Sequence, residues 1–130
     1  MKKTTLNWIK TSDYDYKTAE SLLRAKRFVY VIFMCHLAIE KMLKAIISEL
    51  HDETPPHSHN LKRLTQLGQV DLPEDLKIFI YEINLKSVPT RYPEDLEKLS
   101  KQLDFSVAKR YLSETKRILK WLKLKFPNKK

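Results

Sequence analysis

The chain has 130 residues and a net charge of +9, and it contains one glycine, one cysteine and six prolines. This length suits one domain, residues 1–130, that buries roughly two-thirds of its unfolded surface. A single cysteine excludes an internal disulfide, and a single glycine excludes the glycine-rich phosphate loops of P-loop and Rossmann proteins. The first residues lack the apolar core of a signal peptide, and the longest apolar run is too short for a membrane span. We therefore expect a cytoplasmic protein without a membrane segment, and its many charged residues favour a thermophilic source.

The first half of the chain is predicted to form two long helices. Residues 5–25 form the first, and its apolar face contains Trp8, Ile9, Tyr16, Ala19, Leu22 and Leu23. A turn at 24–27, which has no glycine or proline, leads into a second helix at about 27–50. The second helix is apolar almost throughout its first half, so we expect it to lie at the centre of the fold.

The second half is predicted to contain shorter helices separated by proline-rich loops. The paired prolines predict a loop at 51–58, after which Ser58 caps a third helix at 59–67 that Gly68 ends. A fourth helix opens at 71–74 and continues to about Lys86. Residues 88–93 form a second stiff loop, and a short helix spans 93–101. Asp104 or Ser106 caps a last helix that continues to about Phe126, with a core stripe of Ala108, Leu112, Thr115, Leu119, Leu122 and Phe126. The predicted fold is all-α, an antiparallel up-and-down bundle of about five helices.

Charged residues interrupt one side of the central helix. At 100° per residue, its apolar face contains Phe28, Ile32, Cys35, Ile39, Met42, Ile46 and Leu50. The opposite side contains Tyr30, Phe33, Leu37, Glu40, Lys41, Lys44 and Ser48. Glu40 and Lys44 have the spacing and order of a favourable helical ion pair. This polar strip is either a functional site or an ordinary solvated helix face. His36 is either hydrogen-bonded to Glu40, which would raise the pKa of its imidazole, or a satisfied structural group.

The last helix forms a strongly basic segment. Residues 109–130 contain nine lysine or arginine residues and one acid, Glu114, which amounts to +8. Such a segment either attracts the phosphates of nucleic acid or is a solvated helix face. Trp121 interrupts the basic side, where it either stacks on a base or is covered by another helix or a second subunit.

The residues with metal-binding or nucleophilic chemistry form no convincing catalytic pattern. His51, His57 and His59 lie close together in sequence, but no cysteine pair or HExxH motif accompanies them. Cys35 is predicted to face the core, where it acts as a small apolar residue. We therefore predict no catalytic residue, no metal and no cofactor.

Four sequence motifs together resemble the HEPN domain, the "higher eukaryotes and prokaryotes nucleotide-binding" family. They are Asp15-x-x-x-Ala19, the stretch from Tyr30 through His36-Leu37-Ala38-Ile39-Glu40-Lys41-Met42-Leu43-Lys44-Ala45, Pro56-x-x-His59-Asn60-Leu61, and Arg91-Tyr92-Pro93. The resemblance implies an up-and-down helical bundle that commonly forms homodimers. It also implies one of two roles. Many prokaryotic members sit beside a minimal nucleotidyltransferase in two-component, toxin–antitoxin-like modules, and others are metal-independent ribonucleases with an Arg-x(4–6)-His motif.

The chain departs from the ribonuclease branch, because no histidine follows Arg63 or Arg91, and Arg24 and Arg27 precede His36 by twelve and nine residues. By resemblance, Glu40, Lys41, Lys44, His59 and Arg91 mark the polar cleft of the nucleotidyltransferase-associated branch. Lys44 and Arg91 suit phosphate oxygens, and Tyr30 or Tyr92 suits a base. We predict a non-catalytic module that binds a nucleotide or RNA phosphate, forms a homodimer and partners a minimal nucleotidyltransferase. The alternatives are a ribonuclease toxin with a degenerate motif, and a ligand-free scaffold in which the same residues form a structural cluster.

Overall fold

The computed structural model describes residues 1–126, and over these residues the chain forms α-helices and no β-strand. The predicted all-α bundle is therefore confirmed, with seven helices in the described residues rather than about five, and three of the seven have seven residues or fewer. The helices are α1 (Lys3–Arg24), α2 (Phe28–Leu50), α3 (Leu61–Leu67), α4 (Glu74–Leu85), α5 (Ser87–Arg91), α6 (Leu96–Gln102) and α7 (Phe105–Lys123). Two lysines of the predicted basic segment, Lys129 and Lys130, lie outside the described residues.

Helix α2 lies at the centre, where it contacts each of the other helices in the described part of the chain. Its predicted apolar face is buried except at its two ends, where Phe28 is partly exposed and Leu50 is half exposed. Burial extends to the polar side, where Glu40, Lys44 and Ser48 are also buried. Because α2 is enclosed on nearly all sides, its polar residues need partners from neighbouring elements.

Helix α1 packs antiparallel against α2 through small side chains. Thr5 and Ser12 are fully buried, Thr5 Oγ1 donates to Ser48 Oγ at 3.2 Å, and Ser12 Oγ donates to the Ala38 carbonyl at 2.6 Å. The predicted apolar face of α1 is confirmed, since Ala19 is fully buried and Ile9, Tyr16, Leu22 and Leu23 are partly buried and pack against the core, while Trp8 is partly buried. The small buried residues bring the two helix backbones close together.

The connections between α1, α2 and α3 differ in detail from the prediction. The α1–α2 turn needs no glycine, because Lys26 itself adopts a positive φ of 62°. Asn60, not Ser58, caps α3, since Asn60 Oδ1 accepts hydrogen bonds from the backbone N–H groups of Lys62 and Arg63. Helix α3 ends at Leu67 before Gly68, as predicted. At this helix end Gln69, and not Gly68, adopts a positive φ, of 54°.

The predicted stiff loop at 88–93 is wrong over residues 88–91, which belong to α5. Pro89 lies in the first turn of this five-residue helix, where a backbone N–H has no helical acceptor, so proline is tolerated. Asp95 caps α6, which begins three residues later than predicted, and Asp104 caps α7 through the Val107 N–H at 3.1 Å. Helix α7 ends three residues before Phe126, and its core stripe also includes the buried residues Tyr111 and Ile118.

Candidate functional site: a buried polar cluster on the central helix

Glu40 is the centre of a polar cluster on α2. Its side chain is buried, and its two carboxylate oxygens have different partners. Lys44 Nζ donates to Oε2 at 3.1 Å, and His59 Nδ1 lies 3.0 Å from Oε1. The predicted Glu40–Lys44 ion pair is confirmed, and the alternative of a solvated helix face is wrong for these two residues. Lys44 Nζ also lies 5.7 Å from the centroid of the Trp8 ring on α1.

The loop before α3 holds His59 against Glu40. The Asn84 side chain, on α4, accepts a hydrogen bond from the Leu61 N–H at 2.9 Å and donates one to Asn60 Oδ1 at 3.2 Å. These bonds fix the start of α3, and His59 directly precedes its cap. About half of the His59 side chain is exposed, at 53%. His59 therefore joins the buried carboxylate to the protein surface.

His36 lies one turn before Glu40 and is fully buried. Its Nδ1 is 3.8 Å from Glu40 Oε1, which is too far for a hydrogen bond. The Asn84 amide is nearby, but neither ring nitrogen has a hydrogen-bond partner of good geometry in residues 1–126. Burial lowers the pKa of His36 from 6.5 to about 4, and it outweighs the opposite effect of the Glu40 charge. Of the two alternatives for His36, the one in which a hydrogen bond to Glu40 raises the pKa of the ring is therefore wrong, because burial removes the imidazolium from water.

Arg91, at the end of α5, lies beside His36, where its charge also disfavours protonation of the imidazole and so helps to lower the pKa of that ring. The Arg91 guanidinium lies over the Phe33 ring, 4.8 Å from its centroid. One of its nitrogens, Nη2, is buried without a hydrogen-bond partner in the described chain. We define the polar cluster as His36, Glu40, Lys44, His59 and Arg91.

The predicted site residues divide into three groups in the structure. Glu40, Lys44, His59 and Arg91 belong to the polar cluster. Tyr30 and Tyr92 are exposed, at 47% and 71%, and the Tyr30 ring contacts Phe33 edge-on with a centroid separation of 6.4 Å. Lys41 points elsewhere, since its Nζ lies 2.8 Å from Asp15 Oδ2 on α1. The buried Asp15 and the partly buried Lys41 form a separate contact between the two long helices.

Sequence reasoning missed three contacts of the polar cluster. Phe33 appeared on the polar side of α2, and its place among charged residues was a usable signal for a cation–π contact. Trp8 was assigned only to an apolar face, and Asn84 was not considered, because nothing in the sequence shows which helix faces the His59 loop. The contacts of Trp8 and Asn84 depend on how α1 and α4 pack against α2, which is a long-range property of the fold.

Three of the six basic residues of α7 are paired with acids in the structure. Arg110 bonds to Glu82, Arg117 contacts both Asp75 and Glu114, and Lys123 Nζ is 2.9 Å from Asp13 Oδ1. Trp121 is partly buried and packs against the core, with Lys125 Nζ 4.1 Å from its ring centroid. The charge of +8 on this segment is therefore partly neutralised. The partial burial of Trp121 favours the alternative in which the rest of the protein covers its ring over the alternative in which the ring stacks on a base.

Residues 1–126 contain neither a cluster of metal-ligating side chains nor a membrane-spanning helix. No three side chains of the histidine, cysteine, aspartate or glutamate type converge as ligands for a metal ion. None of the helices in this range is both long enough and apolar enough to cross a bilayer.

Comparisons with known proteins identify the family. The sequence profile of the HEPN domain matches residues 5–125. TT1696 from Thermus thermophilus has a similar crystal structure, with a TM-score of 0.82 and 20% identity over 96% of this chain and 100% of that chain. ST0689, an archaeal HEPN homologue, gives a TM-score of 0.74 and 20% identity over 94% and 97% of the two chains. No curated protein matches the chain. Because the profile spans nearly the whole sequence and both structures share the fold, this chain belongs to the HEPN domain family.

Proposed function

We propose that the polar cluster binds a phosphate group of a nucleotide or RNA, as part of a non-catalytic module. The observation that supports this proposal is the buried Nη2 of Arg91, which has no hydrogen-bond partner in the described residues. A guanidinium remains charged at all ordinary pH values, and no carboxylate in residues 1–126 lies within 4.0 Å of it. An anion with several acceptor oxygens would accept a hydrogen bond from Nη2 and compensate the guanidinium charge. Phosphate oxygens can accept two parallel hydrogen bonds from one arginine.

Within this proposal, Arg91 contacts the phosphate and Lys44 does not. Lys44 is 5% exposed and already paired with Glu40, so its charge is compensated inside the protein. His59 reaches the surface beside the cluster and carries nitrogen on both sides of its ring, which suits a contact with a phosphate oxygen or a ribose hydroxyl. Tyr30 and Tyr92 are exposed near Arg91 and supply faces for a base.

Calorimetric titration tests this proposal. We expect ATP or a short RNA to bind the wild-type protein, and Arg91→Gln to weaken binding by about tenfold or more, since a charged hydrogen bond is lost. Arg63→Gln is the matched control, because Arg63 is an exposed arginine of α3 without an ion pair in the described residues, and its replacement should leave the affinity unchanged. Tripolyphosphate, which has no base, separates the phosphate contribution from stacking. Equal losses in the two variants would refute a specific role of Arg91.

A second candidate function is metal-independent ribonuclease activity, and one observation favours it. The sequence lacks the Arg-x(4–6)-His motif, but the fold places a half-exposed histidine against a buried carboxylate, the Glu40–His59 pair. A carboxylate that orients one imidazole nitrogen leaves the other available as a general base. RNA cleavage that persists in chelator and disappears in His59→Ala would replace the non-catalytic proposal with this one.

We also propose that the protein forms a homodimer and partners a minimal nucleotidyltransferase in a two-component, toxin–antitoxin-like system. The support in the structure is a set of exposed apolar side chains between the end of α4 and the start of α7, namely Leu85, Val88, Tyr92, Leu96 and Phe105. We expect sedimentation equilibrium to give twice the monomer mass of 15.5 kDa at high micromolar concentration. A monomer under these conditions would refute the dimer, and copurification with an adjacently encoded nucleotidyltransferase would support the partnership.

A further inference from the structure

A basic groove separates α1 from α7, away from the residues of the polar cluster. The groove has a volume of about 400 Å³, and Tyr16 and the nearly buried Leu119 contribute apolar surface to it. Its sides carry four lysines, which are Lys17, Lys116, Lys120 and Lys123. Two acids, Asp13 and Glu20, also line it, so that the groove has an excess of two positive charges.

Three of the four lysines lack a carboxylate partner. Asp13 neutralises Lys123 at 2.9 Å, whereas Lys17, Lys116 and Lys120 have no carboxylate within 4.0 Å among residues 1–126. Elsewhere on α7, Arg110 and Arg117 are paired with acids, whereas Lys109 has no carboxylate partner in residues 1–126 and lies over the Phe105 ring. Two of the three basic residues of α7 that lack a carboxylate partner, Lys116 and Lys120, therefore line the groove.

The arrangement of these lysines suits an extended chain of phosphates. Lys116, Lys120 and Lys123 follow one face of α7 over about 10 Å, because each helical residue advances about 1.5 Å. Tyr16 of α1 lines the groove together with these lysines and is partly buried. Lysines around an aromatic ring are the combination with which proteins hold single strands, through phosphate neutralisation and base stacking.

We propose that the α1–α7 groove binds single-stranded nucleic acid, with Lys17, Lys116 and Lys120 on successive phosphates and Tyr16 against a base. This site is separate from the polar cluster and does not depend on the proposed function of that cluster.

Fluorescence anisotropy with a short labelled oligouridylate tests the groove. We expect Lys116→Gln combined with Lys120→Gln to weaken binding by about tenfold or more at low salt. This variant should also flatten the slope of log affinity against log salt by about 1.4, since each phosphate contact on a single strand contributes about 0.7. Tyr16→Leu keeps an apolar side chain at this partly buried position and removes the aromatic ring, so it should weaken binding by about fivefold or more and to a similar degree for different sequences.

The control variant carries the same charge change on other helices. Lys77→Gln combined with Lys98→Gln removes two exposed lysines, from α4 and α6, that also lack a carboxylate partner in residues 1–126. An equal loss in this control, or no loss in the groove variant, would overturn the proposal, and so would tighter binding of duplex than of single strands.

Two further comparisons identify the ligand and keep the two sites apart. Tighter binding of oligouridylate than of oligothymidylate would show that the groove prefers RNA. Equal binding would show that it recognises the phosphate backbone of RNA and DNA alike. The ATP titration of the groove variant should match that of the wild type. A failure at the groove and a failure at the polar cluster are thus distinguishable.

Discussion

Replacing Glu40 with alanine should lower the free energy of unfolding by about 3–5 kcal/mol. The substitution leaves the Lys44 ammonium 5% exposed with no carboxylate, and the aromatic ring of Trp8 only partly compensates its charge. It also removes the acceptor for His59, which frees the loop before α3. Urea unfolding followed by circular dichroism measures this loss.

A surface pair provides the matched control for Glu40. Glu97 and Lys101 have the same four-residue spacing on α6, but their side chains are 86% and 78% exposed, so Glu97→Ala should change stability by about 0.5 kcal/mol or less. Combining Glu40→Gln with Lys44→Met removes both charges and should restore much of the loss. Equal midpoints for wild type and Glu40→Ala would mean that this ion pair contributes nothing to folding.

Acidification should destabilise the protein through His36. The folded state holds the pKa of this imidazole at about 4, below its ordinary 6.5, so the unfolded chain takes up the proton first as the pH falls. The stabilisation that the neutral, buried His36 contributes is then fully present above pH 6.5 and is lost as the pH falls toward 4. Between pH 7.5 and pH 5 the lost free energy of unfolding amounts to about 2 kcal/mol. The charged or titratable groups that face the ring are Glu40, His59 and Arg91.

The His36 effect is measured as the difference between urea midpoints at the two pH values. His36→Leu should abolish most of this difference, whereas His57→Gln, at an exposed loop position, should retain it. If the leucine variant does not fold, the NMR titration of the wild-type His36 ring provides the same information. A ring that titrates near pH 6.5 would contradict the prediction.

Local patterns in the sequence were enough for the long helices of this fold. The apolar run of α2 required a central position, and the order of Glu40 and Lys44 predicted their ion pair. The helix at 87–91 was missed because proline usually excludes helix, and only its place in a first turn made Pro89 acceptable. The cap of α3 was misplaced because Ser58 and Asn60 are both good caps, and the contacts of Asn84 with Leu61 and Asn60 fix the start of the helix.

The candidate site was harder to predict because its chemistry depends on burial. The helical wheel placed His36 beside Glu40, and a carboxylate at that spacing normally raises the pKa of an imidazole. Enclosure by the rest of the bundle lowers this pKa instead, since the cost of burying the imidazolium charge exceeds the attraction of one carboxylate. Lys41 was assigned to the same strip, but the close approach of α1 gives it Asp15 as a partner.

The short helix α5 has a consequence for affinity. Pro89 within it and Pro93 just beyond it restrict the backbone on both sides of Arg91, and the ring of Phe33 already holds the guanidinium in place. Ordering an arginine side chain costs up to about 2 kcal/mol of conformational entropy, and here that cost falls on folding instead of on binding. An anion that reaches Arg91 therefore meets a preorganised receptor, and little of the binding free energy is spent on arranging the arginine.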